Sequence, residues 1–154
     1  MKAKTKAKAK VSSKTYQELY GPIVHEVEKS EEFSSYCLYD IDKNGVKELI
    51  IQTETAVWFW AYEIYTIKNH KSVSLGQIDG TYSAFYKDKS GGKKKYIIQV
   101  AGFQCEETVY HISIKKGKLN YKKISSRTLP PGGQYYSTPY PINFESVTDK
   151  SLLK

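Results

Sequence analysis

Two hydrophobic periods divide the chain. Between residues 15 and 29, apolar side chains recur every three or four residues, which is typical of an amphipathic helix. From residue 34 the spacing becomes two, the period of a strand with one buried face. The predicted strands are residues 34–40, 47–54, 57–67, 72–78, 82–87, 95–101, 107–115 and 119–125. The pattern therefore predicts one helix followed by about eight strands.

The predicted helix contains its own start signal and its own interruption. Thr15 and Glu18 have the spacing of a capping box, in which each side chain accepts a hydrogen bond from a free backbone N–H. Pro22 lies inside the helical pattern and lacks the N–H that the helix needs. We expect a kink at Pro22, or two short helices.

Short connections link the predicted strands. They carry turn residues such as Asn44-Gly45, Asp79-Gly80 and Gly117, which favour hairpins. Hairpins join antiparallel neighbours, because parallel pairing needs a long crossover. The sequence therefore predicts an α+β fold. It consists of a mostly antiparallel β meander of about eight strands, with the N-terminal helix packed on it.

Lysine and proline mark the two flanks of this domain. Residues 1–14 hold six lysines and no acidic residue, so we expect a disordered leader. Without these six charges, the formal net charge of +8 falls to +2 for the rest of the chain. Residues 126–154 are rich in Pro, Gly and Tyr, which predicts an irregular tail packed on the domain. Residues 15–125 form the predicted helix-and-sheet domain.

Length and composition exclude several classes of protein. The chain of 154 residues suits one domain, which we expect to be monomeric. No apolar stretch approaches the ~18 residues of a transmembrane helix. Arg127 is the single arginine among 24 basic residues, which argues against a nucleic-acid partner, because base readout favours arginine. The leader is either a solvated linker or an electrostatic tether to an anionic surface.

One motif suggests a metal site. Residues 40–48 read D-x-D-x-N-G-x-x-E, in which oxygen ligands alternate and Gly45 permits a sharp turn. The twelfth position of an EF-hand is a bidentate Glu, but here it is Ile51, so the loop is a shorter one between two strands. The alternative is a plain acidic hairpin built on Asn44-Gly45. The candidate calcium ligands are Asp40, Asp42, Asn44, the carbonyl of Val46, and Glu48.

The same segment carries a family resemblance. The helix followed by Y-x-L-Y-D-I-D-x-N-G-x-x-E-L-I is similar to uncharacterised secreted or lipid-anchored proteins of Gram-positive anaerobes. The loop also resembles the calcium loops of integrin-type FG-GAP repeats, although Lys43 stands where glycine is common. The resemblance covers residues 15–125. It implies a cell-envelope location, a calcium-stabilised domain, and Asp40, Asp42, Asn44 and Glu48 as ligands.

An aromatic stripe and two cysteines are the other candidates. Trp58, Trp60 and Tyr62 share one face of a predicted strand, where exposed rings would form a platform for sugars. The alternative, which we favour, is that the three rings belong to the core. Cys37 and Cys105 form either a disulfide, the simplest pairing in an extracellular protein, or two separate thiols.

No catalytic motif accompanies these features. The neighbours Glu106 and Glu107 point to opposite faces of a strand, and the histidines lack metal-ligand spacing. We therefore predict a non-catalytic extracellular module, stabilised by calcium, that binds protein or glycan at the cell envelope. The alternatives are a hydrolase acting on cell-wall or polysaccharide material, and a structural domain tethered to an anionic polymer by its leader. A secreted or surface-anchored location is expected, with a cytoplasmic one as the alternative.

Overall fold

The structure is a computed structural model that describes residues 11–30, 34–56 and 59–154, apart from the side chains of residues 54–56. The leader residues 1–10 and Trp58 lie outside this part of the chain. Helix α1 spans Ser13–Ser30 and is followed by nine strands and a short 3-10 helix. The prediction of an α+β fold dominated by antiparallel sheet is confirmed.

Helix α1 begins two residues before its predicted start. Ser12 is the capping residue, because its hydroxyl oxygen accepts a hydrogen bond from the Thr15 N–H at 3.3 Å. The predicted box of Thr15 and Glu18 was wrong, since the Glu18 carboxylate lies 3.8 Å from the Lys14 ammonium instead. The helix also runs through Pro22 as one element rather than two.

The strands form two sheets rather than one continuous meander. The first sheet has the order β4-β3-β2-β1-β9 and the second has the order β5-β6-β7-β8. Every pairing is antiparallel. The strands are β1 Ser35–Tyr39, β2 Glu48–Ala56, β3 Phe59–Lys68, β4 Lys71–Asp79, β5 Ser83–Tyr86, β6 Ile97–Phe103, β7 Glu106–Lys115, β8 Lys118–Thr128 and β9 Glu145–Ser146.

The chain leaves the first sheet at Gly80. A Cβ at this position would lie 2.1 Å from ring carbons of Tyr62, so only glycine lets the backbone pass beneath that ring. The Gly80 N–H still donates to the Trp60 carbonyl at 3.0 Å, and the Gly80 carbonyl accepts from the Ser83 N–H. The turn between β4 and β5 therefore starts a second sheet, whereas the sequence predicted a single continuous sheet.

Alternating side chains build three apolar clusters in successive layers. One lies between the two sheets and joins Ile50 and Ile64 to Phe85 and Ile112. A second packs the α1 face, including Tyr20, on the other side of the first sheet. The third covers the outer side of the second sheet. The layer order is helix, five-stranded sheet and four-stranded sheet.

The tail segment 139–146 links the two sheets along one side. Pro141 forms an isolated antiparallel bridge with Tyr86 of β5. Four residues later, Glu145–Ser146 pairs with β1 as strand β9. Helix η1, Ser151–Leu153, then contacts α1. The two-residue strand β9 was missing from the sequence prediction, because two residues show no periodicity.

Candidate functional site

The acidic loop, residues 40–48, connects β1 to β2. Its sharp turns fall at Lys43, with φ 58°, and at Gly45, with φ 90°. The Asp40 carboxylate folds back over these turns and accepts hydrogen bonds from the N–H groups of Asn44 at 3.1 Å and Gly45 at 2.9 Å. The Asp40 side chain therefore holds the loop together through hydrogen bonds to the loop's own backbone, as the first aspartate of such a motif is expected to do.

Asp42 and Asn44 complete the inner side of the loop. The Asn44 side-chain nitrogen donates to Asp42 Oδ2 at 3.1 Å. The Asn44 side-chain oxygen accepts from the Val46 N–H at 2.7 Å. Val46 thus contributes its N–H to the loop, and the amide nitrogen of Asn44, rather than its oxygen, faces Asp42.

Glu48 is the buried member of the loop. It opens strand β2 and has no solvent exposure. Its Oε2 accepts from the Ile41 N–H at 2.8 Å and its Oε1 accepts from the Thr66 hydroxyl at 3.1 Å. Burial, with smaller contributions from the neighbouring Asp42 and Asp40 carboxylates, raises the pKa of the Glu48 carboxyl to about 8. Burial likewise raises the pKa of Asp42.

The predicted carboxylates converge on one point. One oxygen from each of Asp40, Asp42 and Glu48 lies within 4.8 Å of the other two. Two oxygens on opposite sides of a calcium ion are about 4.6–5.2 Å apart, because each Ca–O distance is 2.3–2.6 Å. The three carboxylates are therefore spaced closely enough to share one cation of this size.

Lys43, one of the two lysines of the loop, directs its ammonium away from the carboxylates. The Lys43 ammonium donates to the Tyr39 hydroxyl at 2.9 Å and to the Asp40 carbonyl at 2.8 Å. Across residues 11–30, 34–56 and 59–154, no ion pair within 4.0 Å includes Asp40, Asp42 or Glu48. Protein cations therefore do not neutralise the three carboxylates through ion pairs in this part of the chain.

Helix α1 holds the end of the loop in place. The Lys47 N–H donates to the Tyr16 hydroxyl at 2.8 Å, and the Tyr20 hydroxyl donates to the Lys47 carbonyl at 2.8 Å. Burial raises the pKa of both tyrosines, so each hydroxyl stays protonated near neutral pH. Because Lys47 directly precedes Glu48, this clamp fixes where the buried carboxylate enters the cluster.

Two rings of the predicted aromatic platform, Trp60 and Tyr62, lie in different surroundings. Tyr62 is buried between the sheets, where its ring meets Phe85 edge-on at 4.7 Å and Phe144 at 5.3 Å. Trp60 is half-buried beside a groove of about 400 Å³. The favoured core interpretation therefore holds for Tyr62, while Trp58 lies outside the described residues.

Exposed aromatic residues gather instead at an aromatic surface made of Tyr82, Phe103 and Tyr135. The rings of Tyr82 and Phe103 stack at 4.5 Å, and each residue is half exposed. The ring of Tyr135 lies against Gly102, where an added Cβ would come within 2.3 Å of it. Sequence reasoning missed this surface. The signal available was Gly102 itself, since an isolated glycine in a strand marks a close approach.

A groove adjoins the aromatic surface and is lined in part by Tyr82 and Phe103. It has a volume of about 500 Å³ and is lined on its polar side by Thr81, Gln104, Glu106 and Thr108. Tyr82 adopts a left-handed backbone with φ 51°, which is costly for an aromatic residue. The turn therefore displays this ring at an energetic cost.

The two cysteines are free thiols, so the disulfide alternative was wrong. Cys37 is buried in β1, and burial raises the pKa of its thiol. Cys105 is exposed in the hairpin between β6 and β7, with φ 67°. The structure therefore keeps one thiol in the core and places the other on the surface.

Glu106 and Glu107 point to opposite sides of β7, as predicted. Glu107 is buried and accepts from Arg127 Nε at 2.7 Å, which lowers the pKa of its carboxyl. Glu106 is exposed and accepts from the Thr128 hydroxyl.

His111 stacks on Tyr96, with the ring centroids 4.0 Å apart. In the described residues, no hydrogen bond joins a serine or cysteine to a histidine.

Comparison with protein-family models, with curated proteins and with solved structures finds no match for this chain. Within the described residues, no helix has both the length and the apolarity needed to cross a membrane. A functional conclusion therefore has to be argued from the residues and their geometry.

Proposed function

We propose that this chain is a non-catalytic extracellular module, stabilised by calcium, that binds protein or glycan at the cell envelope. The observation that carries the proposal is the acidic loop. Three carboxylates lie within 4.8 Å of one another, and Glu48, the one that opens β2, is fully buried. Calcium prefers an all-oxygen environment of this kind.

The ion would act on stability rather than on chemistry. A buried carboxylate beside two others is costly as an anion, so the empty loop favours a proton on Glu48. A divalent cation removes the repulsion and lets all three groups ionise. Because the loop joins β1 to β2, its ordering stabilises the centre of the first sheet.

The aromatic surface supports the binding part of the proposal. Large apolar side chains exposed together beside a groove are typical of ligand or partner sites. Tyr82 and Phe103 present stacked rings, and Thr81 and Thr108 supply hydroxyl groups to the adjoining groove. Rings with nearby hydroxyls suit the flat apolar faces and the polar edges of sugars.

Thermal melts test the calcium part. We expect weak binding, with a Kd of about 10⁻⁴–10⁻³ M. A calcium concentration 100-fold above Kd then adds about 2.7 kcal/mol to the free energy of unfolding. Asp40→Asn should remove most of this increment. If wild-type melts in EDTA and in calcium chloride coincide, the loop is only an acidic hairpin.

Asp88 offers a matched control for Asp40. Its carboxylate also caps a turn, accepting from the N–H groups of Ser90 at 2.8 Å and Lys94 at 3.1 Å. It is not part of the acidic cluster. Asp88→Asn should therefore lower stability equally with and without calcium, whereas Asp40→Asn should lower it mainly when calcium is present.

Sedimentation with insoluble peptidoglycan tests the binding part. The double variant Tyr82→Ala with Phe103→Ala should lose retention, because it removes both stacked rings. Tyr140→Ala is the control, since Tyr140 is comparably exposed but lies outside the groove. Equal retention by all three proteins would remove the aromatic surface from the proposal.

A further inference from the structure

Lysines are concentrated in two connections of the second sheet. The β5–β6 connection, residues 87–96, contains Lys87, Lys89, Lys93, Lys94 and Lys95. This one connection holds five of the chain's 24 basic residues. Four of the five residues are exposed and Lys87 is half-buried.

The β7–β8 hairpin adds three more lysines at the same end of the sheet. Lys115 pairs with Lys118 across the turn that contains Lys116. Strand register brings the hairpin beside the β5–β6 connection, because Ile97, the first residue of β6, pairs with Ile112 of β7. We call residues 87–96 and 115–118 together the lysine end.

The lysine end lacks compensating negative charge. Asp88 is the single acidic residue in the two segments, and it is buried with its carboxylate bound to backbone N–H groups of its own turn. In the part of the chain that the structure describes, no ion pair includes any of the eight lysines. Such a surface repels itself and attracts anions.

We infer that the lysine end binds a linear phosphate polymer. This inference is independent of the acidic loop and of the aromatic surface. Lysine ammonium groups are compact point charges on flexible stems, so they can follow repeating phosphates without a fixed orientation. Lys87 and Lys89 lie over the rings of Tyr39 and Tyr136, which leaves their charges un-neutralised. Charge complementarity between these eight lysines and a chain of phosphates carries the inference.

The same surface is poorly suited to a membrane or to nucleic acid. None of the exposed large apolar side chains belongs to residues 87–96 or 115–118, and the exposed ring of Tyr140 beside Gly91 is one side chain rather than the apolar face of a membrane-binding surface. Tyr96, the aromatic residue in the two segments, is half-buried and stacked on His111 rather than open to a base. The segments contain no arginine. A soluble polymer fits these features best.

Fluorescence anisotropy of end-labelled inorganic polyphosphate with the full chain tests the inference. The decisive variant is the triple Lys93→Ser, Lys94→Ser and Lys95→Ser. Each phosphate contact contributes ~0.7 to the slope of log K against log salt for a single-stranded polyanion. The triple variant should therefore weaken binding about 100-fold at 0.1 M salt and reduce the slope by about 2.

Two matched variants locate the effect. The triple Lys68→Ser, Lys71→Ser and Lys154→Ser removes the same charge from exposed sites elsewhere, and it should change affinity less than about threefold. Replacing the five lysines of residues 1–10 by serine tests the leader, and this variant should keep most of the affinity for polyphosphate. Equal weakening by both triples, or loss of binding only in the leader variant, overturns the inference.

Three further measurements complete the experiment. Thermal melts of both triples should match the wild type, because the replaced side chains are exposed. Arginine at positions 93–95 should restore binding, since it restores the charge. Vesicles of phosphatidylglycerol at equal phosphate concentration should bind more weakly than polyphosphate. Tighter vesicle binding would overturn the inference in favour of a membrane.

Discussion

Replacing Glu48 by glutamine should abolish a fall in stability that the metal-free protein shows as pH rises. Glutamine keeps the size of the side chain and an oxygen for the Ile41 N–H, but it cannot ionise. In the wild type without calcium, burial raises the pKa of Glu48 to about 8 from the usual 4.5. The folded protein therefore keeps a proton that the unfolded chain loses.

The sign and size follow from proton linkage. The proton on Glu48 contributes its full stabilisation of the folded state below pH 4.5, and this contribution is lost as the pH rises towards 8. At ~1.4 kcal/mol per pKa unit, the loss between pH 5 and pH 8 is about 3–4 kcal/mol. Saturating calcium should flatten the wild-type profile, because the ion takes the place of the proton.

Urea unfolding at pH 5, 6, 7 and 8, followed by tryptophan fluorescence, measures the effect in EDTA and in calcium. The quantity to compare is the difference between wild type and Glu48→Gln. His111 also titrates in this range, and burial lowers its pKa, so its contribution has the opposite slope. That contribution is common to both proteins and cancels. Parallel pH profiles of the two proteins in EDTA would refute the reasoning.

Three further predictions concern stability and reactivity. Tyr62→Ala should cost about 3–5 kcal/mol in urea unfolding, because it empties a buried ring site between the sheets. Arg127→Ala should lower the free energy of unfolding at pH 7, since it removes a charged partner of buried Glu107. The destabilisation should become smaller below pH 4.5. There the Glu107 carboxyl of the unfolded chain is protonated, so its lowered pKa in the folded protein no longer adds stability. Iodoacetamide followed by mass spectrometry should modify Cys105 in the folded protein, and Cys37 only after unfolding.

Local patterns were sufficient for the elements of the fold. Period-two alternation predicted eight strands within a few residues of their observed bounds, and the apolar stripe predicted α1. The split into two sheets was not visible, because it depends on Tyr62 lying over Gly80, and these residues are 18 positions apart in the chain. Contacts between residues distant in the chain determine how the sheets are layered, whereas local sequence patterns determine the helix and the strands.

The sequence likewise predicted some features of the candidate site and missed others. The spacing of Asp40, Asp42 and Glu48 within one loop predicted that they would lie together, as they do. That Glu48 would be fully buried followed from the register of β2 against β3, which the sequence does not state. The Tyr82–Phe103 stack joins the β4–β5 connection to the end of β6 and has no periodic signal. Calcium binding itself stays a prediction.

The tail link has a consequence for the order of folding. The Tyr36 hydroxyl donates to the Asp149 carbonyl across 113 residues, and β9 covers the outer edge of β1. Until residues 145–153 arrive, β1 is an open edge strand and the α1 cluster lacks Val147 and Leu153. Contacts of such long range slow folding and leave a sticky partly folded state. Residues 145–153, which follow all the other strands along the chain, are thus the segment that closes the first sheet.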